Sequence, residues 1–129
     1  MKANEFRVTN FVNYNGEMFP IIFIGLDSVM LIGKDQSTFT VKLDRIKPIK
    51  ISEKALLSCG FQKITTNEYW FVIPLKDRSL NISTYGNVEI NSWDRLSISH
   101  GCICEYVHQV QNLYYSLTGG VELVFSTEP

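Results

Sequence analysis

Charge of one sign is the first thing this 129-residue chain lacks. Its 12 Lys/Arg and 13 Asp/Glu leave a formal net charge of −1 and a pI near 6.1. A domain that holds DNA or RNA through phosphates is usually basic as a whole. Long apolar runs are missing too. The longest, from Pro20 to Ile24, falls far short of the roughly 20 residues a membrane helix needs. The first twenty residues carry Glu5 and Arg7 and no apolar core of a secretory leader. Cysteine is scarce and odd in number, and Cys59, Cys102 and Cys104 make no disulfide framework. Together these absences predict a cytoplasmic chain with reduced thiols and no membrane partner. Catalytic punctuation is absent as well. No Gly-rich loop precedes a helix to cradle phosphate, no G-x-S-x-G elbow occurs, and the carboxylates are scattered. The expectation is no enzyme, no metal and no cofactor.

What is present is a chain that is 45% hydrophobic and 12% aromatic, enough to bury a core at single-domain size. The first fifty residues read as short strands joined by tight turns. Phe11 to Tyr14 meets Glu17 to Ile24 across Asn15-Gly16, the dipeptide that suits a two-residue type I′ hairpin. Turns at Gly25–Ser28 and Gly33–Ser37 lead to Val29–Ile32 and Thr38–Leu43. Pro20 has no amide to donate, so its strand is expected at an edge, or bulged there. A helical turn over Asp44 to Ile46 and a short strand near Pro48 complete the set. This spacing resembles a small SH3-like barrel, assigned to residues 1–51.

Ser52 as N-cap with Glu53 behind it opens a short helix that Gly60 stops. Strands are predicted over Phe61–Thr65, Tyr69–Leu75, Leu80–Thr84, Asn87–Trp93 and Leu96–Cys104, then a helix over Glu105–Thr118 and a last strand over Val121–Phe125. The fold class is therefore α+β, mostly β: the barrel-like unit, then an antiparallel sheet with one short and one longer helix over residues 52–129. The first part carries +2 and the second −3.

The segment Tyr106-Val-His-Gln-Val-Gln-Asn-Leu-Tyr-Tyr-Ser-Leu-Thr-Gly119 resembles the C-terminal signature of an uncharacterised family of small proteins from gut commensal bacteria and their phages. Phe6 to Gly16, Lys47-Pro-Ile49, Leu56-Leu57 and Gly60-Phe61 are similar to it as well. Val110 stands where that family more often has leucine, and Gly120 where it usually has an acidic residue. The family has no established activity. The resemblance implies an accessory protein of a phage or mobile element, with no mechanism attached.

Four groups of residues bear on function. His100, Cys102, Cys104 and His108 lie within nine residues, but Cys-x-Cys in a strand does not turn two sulfurs toward one metal. A core face is the simpler reading, and a Cys104–His108 nucleophile pair lacks an orienting partner and an oxyanion donor. Tyr69-Trp-Phe71 sits in a strand apolar on both sides, which predicts a central strand covered twice. Lys42, Arg45, Lys47 and Lys50 form a basic run suited to a weak nucleic-acid contact, the alternative function. The C-terminal helix bears the leading candidate. At 100° per residue, Tyr106, Val107, Val110, Leu113, Tyr114 and Leu117 form an apolar arc expected to face the sheet. The opposite arc carries no charge from Tyr106 to Val121. An uncharged polar arc suits a covered, hydrogen-bonded contact. His108, Gln111, Asn112 and Tyr115 are therefore the candidate interaction face, covered by the first unit, by a second copy or by another protein. The function expected is a non-catalytic interaction module.

Overall fold

The structure is a computed structural model that describes residues 6–65, 69–76, 78–92 and 98–123, with Ser92 and residues 98–102 described by their backbone alone. The chain divides into two compact units, Met1–Ile49 and Lys50–Pro129. The division falls just ahead of the expected boundary at 51/52. The reason is backbone pairing: Lys50 bridges Tyr106, and the Ile51 N–H donates to the Glu105 carbonyl at 2.9 Å, which ties both residues to the second unit.

The first unit is a five-stranded antiparallel sheet. Its strands are β1 (Phe11–Tyr14), β2 (Glu17–Ile24), β3 (Ser28–Ile32), β4 (Thr38–Lys42) and β5 (Lys47–Pro48), with a 3-10 turn over Leu43–Arg45 before the last. Their order is β4-β3-β2-β1-β5, so the fifth strand returns to pair with the first. The sheet is open rather than closed, with β4 and β5 as its edges. Asn15 and Gly16 turn the first hairpin at φ 53° and 83°, the left-handed pair of a type I′ turn. β2 is central, not an edge. The sheet accommodates Pro20 near an irregularity, because pairing with β3 slips between Ile21 and Phe23. That slip puts both Ile22 and Phe23 on the exposed side, against strict alternation. Phe6, Val12, Ile21, Val29, Leu31 and Val41 are among the residues that fill this unit's core.

The second unit opens with α1 (Glu53–Ser58). Ser52 Oγ accepts from the Ala55 N–H at 3.1 Å, and Gly60 at φ 95° ends the helix, with the Phe61 N–H returning to the Leu56 carbonyl. This is the Schellman closure. A second five-stranded antiparallel sheet follows: β6 (Gln62–Lys63), β7 (Trp70–Pro74), β8 (Arg78–Ser83), β9 (Asn87–Ser92) and β10 (Ile98–Ile103), ordered β10-β9-β8-β7-β6. Then comes α2 (Val107–Leu117). Residues 121–123 are not strand, and Val124 and Phe125 lie outside the described residues.

The doubly covered strand is β8, not β7. In β7, Phe71 and Ile73 are buried while Trp70 and Val72 are half-buried and Pro74 is exposed. In β8, Leu80, Asn81, Ile82 and Ser83 are buried in succession. Asn81 and Ser83 are tolerated there because each has a local partner. Ser79 Oγ donates to Asn81 Oδ1 at 3.1 Å, and Ser83 Oγ accepts from the Tyr85 and Asn87 N–H groups. Among the described residues, no helix is long and apolar enough to cross a membrane.

Candidate interaction surfaces

The helix α2 is fixed at its start by a side chain from within it. Gln109 Oε1 accepts from the backbone N–H groups of Glu105 at 2.8 Å and Tyr106 at 3.1 Å, which satisfies donors ahead of the helix. Its deepest stripe is Val107, His108, Val110 and Gln111. The apolar arc expected to face the core is thus corrected by rotation. Val107 and Val110 are buried, whereas Tyr106, Leu113, Tyr114 and Leu117 are half-buried. Two tyrosines that keep part of their surface in water leave room for His108 and Gln111 to go inside.

The four candidate residues divide. His108 is 4% exposed and stacks on Tyr106, ring centroids 5.8 Å apart and 12° from parallel. Gln111 is 0% exposed, and its Nε2 donates to the Leu123 carbonyl at 3.3 Å. Asn112 is half-buried, and Tyr115 is 37% exposed. The chain leaves the helix through Thr118, whose Oγ1 donates to the Tyr114 carbonyl and accepts from the Val121 N–H. It then returns to bury Leu123. Part of this uncharged face is therefore covered by the chain's own following segment.

The basic run is wholly exposed at Lys42, Arg45, Lys47 and Lys50. Lys42 ends β4, Arg45 lies in the 3-10 turn and Lys47 starts β5, while Lys50 belongs to the second unit. The four do not share one unit. Two of them, Lys42 and Arg45, border a different surface, which hydropathy does not mark. β2 and β3 are joined by Gly25, Leu26 and Asp27, in a turn closed by the Gly25 N–H donating to the Ser28 carbonyl at 2.8 Å. Leu26 is 100% exposed and Phe23 is 62% exposed, with Ile22 and Val8 also open. The Leu43 N–H donates to the Asp27 carbonyl at 2.9 Å and Ser28 pairs with Lys42, so the apolar tip and the 3-10 turn are held side by side. A leucine in a tight turn was the sequence signal for this surface. Turn positions favour Gly, Asn, Asp, Pro and Ser.

A second aromatic surface lies at one end of the second sheet. Tyr69 and Tyr85 are exposed with centroids 5.5 Å apart. Ile103, also exposed, lies beside the turn that carries Gly86.

Of the three thiols, two are described by their side chains. Cys59 and Cys104 are buried, and burial pushes the Cys59 thiol up to about 12, which keeps it protonated near neutrality. The side chains of His100 and Cys102, and all of Trp93, lie outside the described residues. Among the described residues, no three His, Cys, Asp or Glu side chains gather where they could hold a metal. The Asp35 carboxyl is drawn below its ordinary value by the Ser37 hydroxyl at 2.6 Å and by the Ser37 N–H. It closes the β3–β4 turn. Compared with known protein families, curated proteins and solved structures, the chain matches none of them.

Proposed function

We propose that this chain is a non-catalytic interaction module working in the cytoplasm, an accessory protein of a phage or mobile element as its helix signature implies. The single observation that carries the reading is the β2–β3 tip, where a fully exposed Leu26 stands beside Phe23 and Ile22. Leaving Leu26 wholly in water forgoes roughly 1.5–3 kcal/mol that full burial would release, and the partly exposed Phe23 and Ile22 forgo less. Exposed apolar side chains clustered along one short stretch of chain suit a site of association. The candidate face on α2 contributes only Asn112 and Tyr115, because His108 and Gln111 are inside the chain.

A second reading, weak nucleic-acid binding through Lys42, Arg45 and Lys47, has one observation in its favour. The exposed Phe23 lies across β3 from Thr40, two residues from Lys42, and bases stack on aromatic rings beside cations. One experiment addresses both. Immobilised wild-type chain and its Leu26→Asp variant are exposed to host lysate and to single-stranded DNA and RNA at low salt. The interaction reading expects a protein retained by wild type, whether a second copy or another chain, and lost with Leu26→Asp. Equal retention by the two forms contradicts it, and salt-sensitive retention of nucleic acid alone supports the second reading.

A further inference from the structure

The rim of the β2–β3 tip identifies its occupant, resting on the interaction reading above. Around Leu26, Phe23 and Ile22 stand charges of both signs: Asp27 in the loop itself, Asp44 and Arg45 in the 3-10 turn, and Lys42 opposite Ser28. All four charged groups are exposed. Among the described residues, none of them makes an ion pair within the chain. A phosphate-bearing partner, nucleic acid or anionic lipid, meets Lys42 and Arg45 favourably but is opposed by Asp27 and Asp44 beside them. A surface with an apolar centre and a mixed-sign rim carries the charges needed to complement a copy of itself. In a two-fold contact the same patch is used twice, and each residue faces a different residue of its partner. Lysine and arginine of one copy then meet aspartates of the other, and the apolar tips cover each other at the centre.

We infer that the β2–β3 tip docks on the same tip of a second copy, through Leu26, Phe23 and Ile22 ringed by Lys42 and Arg45 against Asp27 and Asp44. The contact is isologous and closes as a dimer.

The test is mass in solution, by sedimentation velocity across a wide concentration range at moderate salt. Four forms are compared: wild type, Leu26→Asp, the pair Lys42→Glu/Arg45→Glu, and the pair Asp27→Lys/Asp44→Lys. All substituted residues are exposed, and circular dichroism checks that each form is folded; Phe23→Ser replaces Leu26→Asp if that variant is not. Wild type is expected to rise from the 14.8 kDa chain toward twice that mass, and Leu26→Asp to stay at the single-chain mass. Each charge-reversed form carries a rim of one dominant sign and stays monomeric alone. A one-to-one mixture of the two restores the dimer, because their rims are complementary. Wild type that remains a single chain throughout overturns the inference, as does a dimer that persists in Leu26→Asp or a mixture that fails to associate. A monomeric wild type whose tip still retains a different protein overturns the self-contact while leaving the interaction reading standing.

Discussion

Gln111 offers the sharpest test of how the uncharged helix face is used. Its side chain is completely buried, and its amide donates to the Leu123 carbonyl at 3.3 Å across a twelve-residue separation. Replacing it by alanine removes that bond, worth about 1 kcal/mol net, and empties the space its methylenes fill, worth about 1–2 kcal/mol more after partial collapse. The expected loss for Gln111→Ala is therefore about 2–3 kcal/mol. Gln111→Met keeps most of the volume and should lose only about 1–2 kcal/mol, the cost of the missing donor. Leu123→Ala, at a buried position, should lose about 2–4 kcal/mol. Because the buried Leu123 side chain anchors the segment whose carbonyl takes the bond, its loss should loosen that bond too, and the double variant should fall short of the sum by at least about 0.5 kcal/mol. Urea unfolding followed by helical circular dichroism is the assay, since α1 and α2 both belong to the second unit. Gln111→Ala within about 0.5 kcal/mol of wild type, with no coupling to Leu123, refutes the claim that the chain covers its own polar face.

Further outcomes follow from single residues. Ser52→Ala should cost about 1 kcal/mol through loss of the α1 cap, read from the same urea midpoint. Gly86→Ala should be far worse than Gly16→Ala in thermal melts. Both have positive φ, costing about 1–2 kcal/mol, but only at Gly86 does a Cβ come within 2.7 Å of a backbone oxygen, that of Cys104. The Cys59 thiol is raised from 9.0 to about 12. The unfolded chain therefore loses this proton first, and stability should fall by about 1.4 kcal/mol per pH unit as pH rises from 9 toward 12. Cys59→Ala should lack that component, and an unchanged slope in the variant contradicts it. At pH 8 native Cys59 should resist a thiol reagent that labels the urea-unfolded chain at once.

Local rules carried much of the fold. Asn15-Gly16 fixed the first hairpin, Ser52 and Gly60 bounded α1, and the alternation of Phe39 and Val41 marked β4. Each is a matter of neighbours in sequence. Other features show only in the pairing and packing. β2 is central rather than an edge, and the irregularity that Pro20 allowed for falls just after it, where pairing with β3 slips one residue between Ile21 and Phe23. β8 buries Asn81 and Ser83 because nearby hydroxyl and amide groups satisfy them, whereas hydropathy counts both as surface. The buried arc of α2 turns toward His108 and Gln111 because Leu123 supplies a carbonyl to the latter. The absence of charge on that arc was legible; of its four candidates, His108 and Gln111 are buried, Asn112 is half-buried and Tyr115 is exposed. The exposed tip at Leu26 was hidden in a segment read as an ordinary turn, and the clue was the wrong residue type for a loop.

The central claim, that the β2–β3 tip is where this chain meets a second copy, is tested most directly by an amide nuclear magnetic resonance concentration series. The account predicts that signals of Ile22, Phe23, Leu26, Asp27, Lys42 and Arg45 move progressively as concentration rises, while those of α1 and the interior of β8 stay in place. Signals that do not move at any concentration, or that move on α2 and leave the tip unchanged, contradict it.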